Sequence, residues 1–299
     1  MTSMWQPEPG WQLLTAGLGA STAGVWLSGD QVVKRFAAPV PGDPGEFSDP
    51  RHFAYWRRAA EVALSGVVAT TPGLRSEPAT RVAEDAEGIT VFSAHLDERP
   101  PGGLFVARCL GRFAGADLGE HPWLARNQLL DRVRRVEHRG GWPTLARTTV
   151  ADVADHLWTR RGHFLSALAE LPQVAQHGDP TPQNLLSHDA DSVIAIDWAT
   201  LGAGPVGADL GYYCLSARED FDPLLEAYVA ALPEGLATRE QVELGARVSA
   251  VYTVMSRAEW ALARAAEGPG ALVGKFRHPS VAPYLRSLQR QFPQIEALL

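Results

Sequence analysis

The 299-residue chain is poor in cysteine, with only Cys109 and Cys214, and it has three methionines and no long apolar run. Two thiols cannot build a disulfide framework, and these lack the paired spacing of a zinc site, so a reducing compartment is the natural setting. No window approaches the ~18 consecutive apolar residues of a membrane-spanning helix. Met1 to Trp11 hold a glutamate and two prolines but no basic run ahead of an apolar one, so we expect no signal peptide, no membrane partner and a cytoplasmic protein. Basic excess is also missing: 27 Lys and Arg against 34 Asp and Glu leave a net charge of −7. That balance argues against nucleic acid, whose phosphates are bound by clustered Lys and Arg.

What remains is ordinary globular composition, 45% hydrophobic and 20% charged. The length suffices for one large domain or two lobes. The acidity is unevenly spread. Residues 1–149 hold 16 acids and 16 bases, whereas residues 150–299 hold 18 acids and 11 bases. Between His177 and Glu226 nine acids face the single base Arg218, a density that divalent metal would explain.

The first third reads as β-rich. Val25–Leu27 and Val32–Phe36 are apolar runs joined by Ser28-Gly29-Asp30, a hairpin turn, and a loop punctuated by Gly17, Gly19 and Gly24 precedes them. Ser48-Asp49-Pro50 predicts a helix start, with Phe53, Trp56, Ala60 and Leu64 as its apolar stripe. Ile89–Ala94 predicts another strand, and residues 98–103 a linker. Beyond it the pattern predicts helices over 104–115, 122–138, 150–171, 220–232, 238–266 and 281–298. One hairpin, Asn184–Leu186 with Val193–Ile196, interrupts them. The expected fold is α+β and two-lobed, with a β-rich lobe over residues 1–97 and a mainly helical lobe over 98–299. The crevice between lobes is the default ligand site.

The informative stretch is His177-Gly178-Asp179-Pro180-Thr181-Pro182-Gln183-Asn184. Asp179 and Asn184 stand five apart, the spacing of base and metal ligand in the pattern H-x-D-x-x-x-x-N. Asp197 follows the apolar run that ends at Ile196, and the hairpin brings it back beside Asn184. Transfer of a phosphoryl group needs a carboxylate to take the acceptor's proton and hard oxygen ligands for Mg²⁺.

His177-Gly178-Asp179, Asn184, Ile196-Asp197-Trp198 and Asp209-Leu210 together resemble the aminoglycoside phosphotransferase and choline kinase family, relatives of the protein kinases. The resemblance is specific over about residues 175–213 and softer over the first lobe. It implies a protein-kinase-like fold, Asp179 as catalytic base, and Asn184 and Asp197 as Mg²⁺ ligands. It further implies His177 and Asp209 as structural supports of the catalytic loop, and ATP or GTP under the loop holding Gly17, Gly19 and Ser21. Lys34, flanked by Val32 and Phe36 on one face of its strand, stands where a kinase holds the α- and β-phosphates, and alternation turns Arg35 to the other face. Ser93 and His95 are further nucleotide candidates. The lysine's glutamate partner is less plain: the chain reads Arg58-Ala59-Ala60-Glu61, with Ala59 at the expected place and Glu61 as the alternative.

For the acceptor, the candidates are Trp198, Arg257, Glu259 and Trp260, while the basic helix Arg126–Arg139 reads as a solvated face. The expected partner is a small molecule bearing a hydroxyl, and the expected state a monomer or homodimer. An antibiotic with sugar or nucleoside character suits the mixture of bases and tryptophans better than a polycation. A metabolic kinase of the sugar, choline or homoserine type and a nucleotide-binding pseudokinase are the alternatives. A metal-dependent hydrolase would need more His and carboxylate clusters.

Overall fold

The computed structural model describes residues 5–16, 21–141, 149–266 and 282–299. Five antiparallel strands open the chain: β1 (Gln12–Ala16), β2 (Thr22–Ser28), β3 (Gln31–Ala37), β5 (Ala79–Asp85) and β6 (Gly88–Ala94), in the order β1-β2-β3-β6-β5. The hairpin expected at Gly29 is there, with Ser28 paired to Gln31 and Gly29 at a φ of 62° that favours glycine. One face of the sheet packs Phe36, Ile89 and Val91 against Ala60 of α1 (Arg58–Ser65). The other packs Val33, Trp26 and Phe92 under Trp5 and Trp11, an aromatic cover that no periodicity announced.

The helix expected from residue 48 begins only at Arg58. Phe53 and Trp56 precede it, and Leu64 is 56% exposed, so the expected stripe is not a helix face. The cause is Arg58, which is fully buried. Its guanidinium donates to the carbonyls of Pro50, His52 and Phe53 at 2.8, 2.8 and 3.1 Å, and those carbonyls would be spent within a helix. It also reaches Trp123 O at 2.6 Å and Ala199 O at 2.9 Å, tying the sheet region to the helical one.

The short strand β4 (Leu74–Arg75) runs parallel to β9 (Val193–Ala195), which pairs in turn with β8 (Leu185–His188). The helical region contains α2 (Gly103–Phe113), α3 (Gln128–His138), α4 (Thr149–Thr159), α5 (Arg161–Ala169), α6 (Ala208–Cys214), α7 (Phe221–Val229), α8 (Arg239–Ala266), α9 (Ala282–Arg290) and α10 (Phe292–Glu296). Three expected helices change, one of them 281–298, which breaks at Gln291 into α9 and α10. Residues 122–127 are not helical, because Ala125 bridges to Gly202, and the expected 150–171 helix breaks at Arg160. There Arg161 turns to the Trp158 carbonyl and to Glu137. Sequence reasoning missed α6 and the antiparallel pair β7 (Gln173–Gln176) with β10 (Gly202–Pro205). That pair frames the 177–184 loop, and α6 lies against α8 closely enough that a Cβ on Gly211 would strike the Ala246 carbonyl.

Arg58 is the buried junction of these parts, and burial without a carboxylate partner pushes its guanidinium down to about 10. Replacing Arg58 with Met leaves five carbonyls without their donor. Denaturant unfolding should show a loss of ~3 kcal/mol or more. A loss under about 1 kcal/mol would mean that the junction is held by apolar packing alone.

Candidate active site

Strand β7 leads directly into His177, and the loop that follows is fixed from below. Asp209, in the first turn of α6, accepts the His177 N–H at 2.7 Å and the Gly178 N–H at 2.9 Å. Burial pushes the Asp209 carboxyl up to about 6, against the opposing pull of His177 and those two N–H groups. His177 is itself buried, with Nε2 2.9 Å from the Ile196 carbonyl and its own carbonyl accepting Thr200 Oγ1 at 2.9 Å. It therefore joins the loop to the segment carrying Asp197.

Asp179 stands half-buried at the loop's apex. Asn184 Nδ2 donates to the Asp179 carbonyl at 2.9 Å and approaches its carboxylate at 3.3 Å, while Arg257 Nη2 of α8 lies 2.9 Å from Oδ1. Asp197 leaves β9 with a φ of 60°, unusual for a residue with a Cβ, and its Oδ1 meets Lys34 Nζ at 2.6 Å. Burial acts to raise the Asp197 carboxyl, but the Lys34 ammonium outweighs it and holds the group below the usual carboxylate range.

Two cavities flank these residues. One, of about 450 Å³, has Val25, Val32 and Val91 of the sheet on one side and Leu186 and Ile196 of the hairpin on the other. Its polar lining includes Lys34, Asn184 and Asp197, with Glu77, Glu98, Ser93 and His95. The other, of about 730 Å³, is lined by Gln128, Arg132, Gly178, Tyr212 and Thr253 among others. Asn184 lines the first and Gly178 the second, and Asp179 lies between them in the chain, bonded to Asn184.

Lys34, Ser93, His95, Asn184 and Asp197 thus meet at one cavity, and Arg35 is turned away, paired with Asp85 at 2.7 and 2.9 Å. Ser21 precedes β2 with its carbonyl on Ala37 N–H and does not line the cavity. Gly17 and Gly19 lie outside the described residues.

Several expectations need correction. Glu61 does not reach Lys34; it pairs with Arg57, which also binds Glu84 at 2.9 Å, and the cavity wall beside Lys34 is Ala59. Trp198 is core: it is buried, bonded through Nε1 to Ala195 O at 3.1 Å and packed on His177 and Phe113. Glu259 is also buried and pairs with Arg139 at 3.2 Å, and burial raises its carboxyl above the usual range. The side chain of Trp260 lies outside the described residues. Of the four acceptor candidates only Arg257 has a described contact with Asp179.

Helix α3 is not simply a solvated face. Arg134 is exposed, yet it lines the larger cavity together with Gln128 and Arg132, and Gln128 Nε2 bonds the Thr200 carbonyl at 2.6 Å. The spacing of four residues between Gln128 and Arg132 was the available signal, masked by the density of arginine around it. Tyr212, one of several aromatic residues of the larger lobe that the sequence offers for stacking on a sugar or base, also lines this cavity.

No curated protein is matched by this sequence. Solved structures are matched along nearly the whole chain. A choline/ethanolamine kinase family protein from Mesorhizobium loti aligns at 16% identity and a TM-score of 0.58, covering 94% of this chain and 92% of that one. The GDP complex of aminoglycoside 2'-phosphotransferase-IIIa aligns at 12% identity and 0.60, covering 94% and 91%. An aminoglycoside phosphotransferase from Streptomyces rimosus, in complex with ADP and streptomycin, aligns at 20% identity and 0.51, covering 81% and 92%. These likenesses establish the protein-kinase-like fold. The model of the phosphotransferase enzyme family matches residues 12–244, from β1 through the catalytic loop and into α8, and the chain belongs to that family.

Proposed function

We propose that the chain transfers the γ-phosphoryl group of ATP, or of GTP, to a hydroxyl of a small molecule, with Asp179 as the base. The observation that carries this reading is that Lys34, Asn184 and Asp197 gather at the smaller cavity, with Asn184 bonded to Asp179, whose chain neighbour Gly178 lines the larger. In this reading residues 1–97 and the hairpin hold the nucleotide, and residues 98–299 supply the base and the acceptor pocket. The ADP of the Streptomyces rimosus enzyme and the GDP of its relative are consistent with either purine nucleotide.

The donor set suits Mg²⁺. Asn184 spends its amide N–H on Asp179, which leaves the amide oxygen for a cation, and Asp197 keeps one carboxylate oxygen beyond the one bonded to Lys34. Two protein oxygens suffice for an ion that takes its other ligands from phosphate and water. When bound, Mg²⁺ supplies charge neutralisation at the phosphate oxygens. Lys34 exchanges Asp197 for the α- and β-phosphates, Asp179 accepts the acceptor's hydroxyl proton, and Asp209 with His177 holds the loop still during both. The segment Glu219–Glu226 does not create an acidic acceptor pocket: Glu219 accepts Gly103 N–H at 2.9 Å, and Glu226 pairs with Arg239 at 2.7 Å. That distribution favours a sugar- or nucleoside-like antibiotic, in resistance or self-resistance, over a polyamine. One second reading has an observation behind it: Ala59 beside Lys34 would suit a nucleotide-binding scaffold without turnover.

ADP release across a panel of hydroxylated antibiotics and metabolites, with ATP and with GTP, tests the reading. Asp179→Asn should lower turnover by ~10²- to 10⁴-fold while nucleotide binding persists. A loss below tenfold would remove Asp179 from the chemistry, and no turnover in the parent chain on any acceptor would favour the scaffold.

The roles on β3 separate in the same assay. Lys34→Ala should weaken nucleotide handling. Arg35→Ala should cost stability, through Asp85, without changing nucleotide affinity in the folded fraction. Glu61→Gln should leave the kinetics unchanged, because its carboxylate serves Arg57; a slowed enzyme would show that Glu61 moves to Lys34 when nucleotide binds.

A further inference from the structure

The larger cavity is basic where it approaches Asp179. Arg132 lines it, and among the described residues its guanidinium meets no carboxylate. It lies 4.7 Å from the ring centre of Phe53 and 5.9 Å from that of Tyr212. Arg257 sits 5.0 Å from the same Tyr212 ring; it gives Nη2 to Asp179 and leaves Nε buried with no partner. One carboxylate therefore serves two guanidinium groups. Burial first, and then Arg257, push Arg132 down to about 10, while Asp179 pulls it the other way.

Two hydroxyls add a second, independent sign. Tyr212 Oη and Ser249 Oγ belong to residues only 6% and 3% exposed, both residues line this cavity, and neither atom has a hydrogen-bond partner among the described residues. A buried hydroxyl left without a partner costs ~1–3 kcal/mol, so native structures keep few of them without a ligand or water to satisfy them. Ser249, Thr253 and Arg257 are spaced by four along α8 and so share a face, and Thr253 lines the cavity as well. The cavity's own carboxylates do not neutralise this end. Asp131 stands 3.8 Å from Arg134 and 3.9 Å from His52, Asp49 accepts the Arg51 N–H, and Asp209 is committed to the catalytic loop.

We propose that Arg132 and Arg257, with the hydroxyls of Tyr212 and Ser249, form an oxyanion subsite for a carboxylate or phosphate group carried by the acceptor. The inference rests on the larger cavity being the acceptor pocket, and it narrows the acceptor to a hydroxyl compound bearing negative charge. Two guanidinium groups and two donor hydroxyls match an oxyanion in charge and in hydrogen-bond sense, and they repel an ammonium group. Asp179, bonded to Arg257 at 2.9 Å, then adjoins this subsite.

The test titrates sulfate and acetate into the full chain at constant ionic strength balanced with chloride. The smaller cavity is first saturated with a non-hydrolysable ATP analogue and Mg²⁺, and intrinsic tryptophan fluorescence reports binding. The parent chain should bind an anion, with sulfate tighter if the acceptor group is a phosphate and acetate tighter if it is a carboxylate. Arg132→Gln should weaken that binding by about ten- to hundred-fold, the value of a charge-assisted contact. Tyr212→Phe removes a hydroxyl that nothing in the fold uses, so it should weaken anion binding without lowering the thermal midpoint. Arg112→Gln, a surface arginine bonded to Asp191 outside the cavity, should change nothing. No anion binding in the parent chain, or equal binding in Arg132→Gln, overturns the proposal. So does binding that vanishes once the triphosphate analogue is in place, which would assign the arginines to the transferred phosphate. The titration does not depend on turnover, so an inactive chain that still binds the anion would fault the phosphotransfer reading alone.

Discussion

The site depends on one buried carboxylate. Asp209 takes the N–H groups of His177 and Gly178, and this fixes the direction in which the chain leaves β7. Gly178 adopts a φ of 80°, which turns the chain so that Asp179 follows at the apex. From there the other contacts are consequences: His177 reaches the Ile196 carbonyl and so sets where β9 ends, and that places Asp197 opposite Lys34. Without Asp209 two buried N–H groups lose their acceptor and the loop loses its reference point. Arg58 plays the matching part at larger scale, gathering carbonyls from residues 50–53, Trp123 and Ala199 into one junction.

Both carboxylates proposed for chemistry are held by cations from distant parts of the chain. Lys34 of β3 holds Asp197, and Arg257 of α8 holds Asp179. A site arranged this way avoids an unpaired concentration of negative charge before its ligands arrive, and it makes entry of each ligand an exchange of partners. In the proposed reading the nucleotide's phosphates compete for Lys34, and an anionic acceptor competes for Arg257. The two exchanges then belong to different cavities, one lined by Asn184 and the other by Gly178, so that in this reading nucleotide and acceptor enter separately.

Much of this was legible in the sequence, for reasons that can be named. The hairpin at Gly29 and the alternation that turns Lys34 to the cavity and Arg35 away follow from short-range rules, and the structure keeps both. The set Asp179, Asn184, Asp197 and Asp209 was readable because the spacings within a loop and one hairpin fix proximity. What could not be read depends on long-range contacts. Arg58 looked like a helix residue among others, yet it draws three carbonyls of the segment before it out of helical pairing and ties them to Trp123 and Ala199. Glu61 was the alternative partner for Lys34 because the resemblance implies a glutamate on this helix, whereas Arg57, four residues before it, claims it. Arg132 was hidden within a run of arginines, and Tyr212 within a helix that the apolar pattern did not reveal.

Phosphorus NMR of a reaction mixture tests the central claim most directly, because it reports where the γ-phosphoryl group goes and not merely that ADP has formed. With ATP, Mg²⁺ and an accepted substrate, a new phosphomonoester resonance should grow at the rate at which ADP appears, coupled to the protons on the carbon that bears the phosphorylated oxygen. ADP accompanied only by inorganic phosphate, across acceptors with and without an anionic group, would contradict the assignment and make the site hydrolytic.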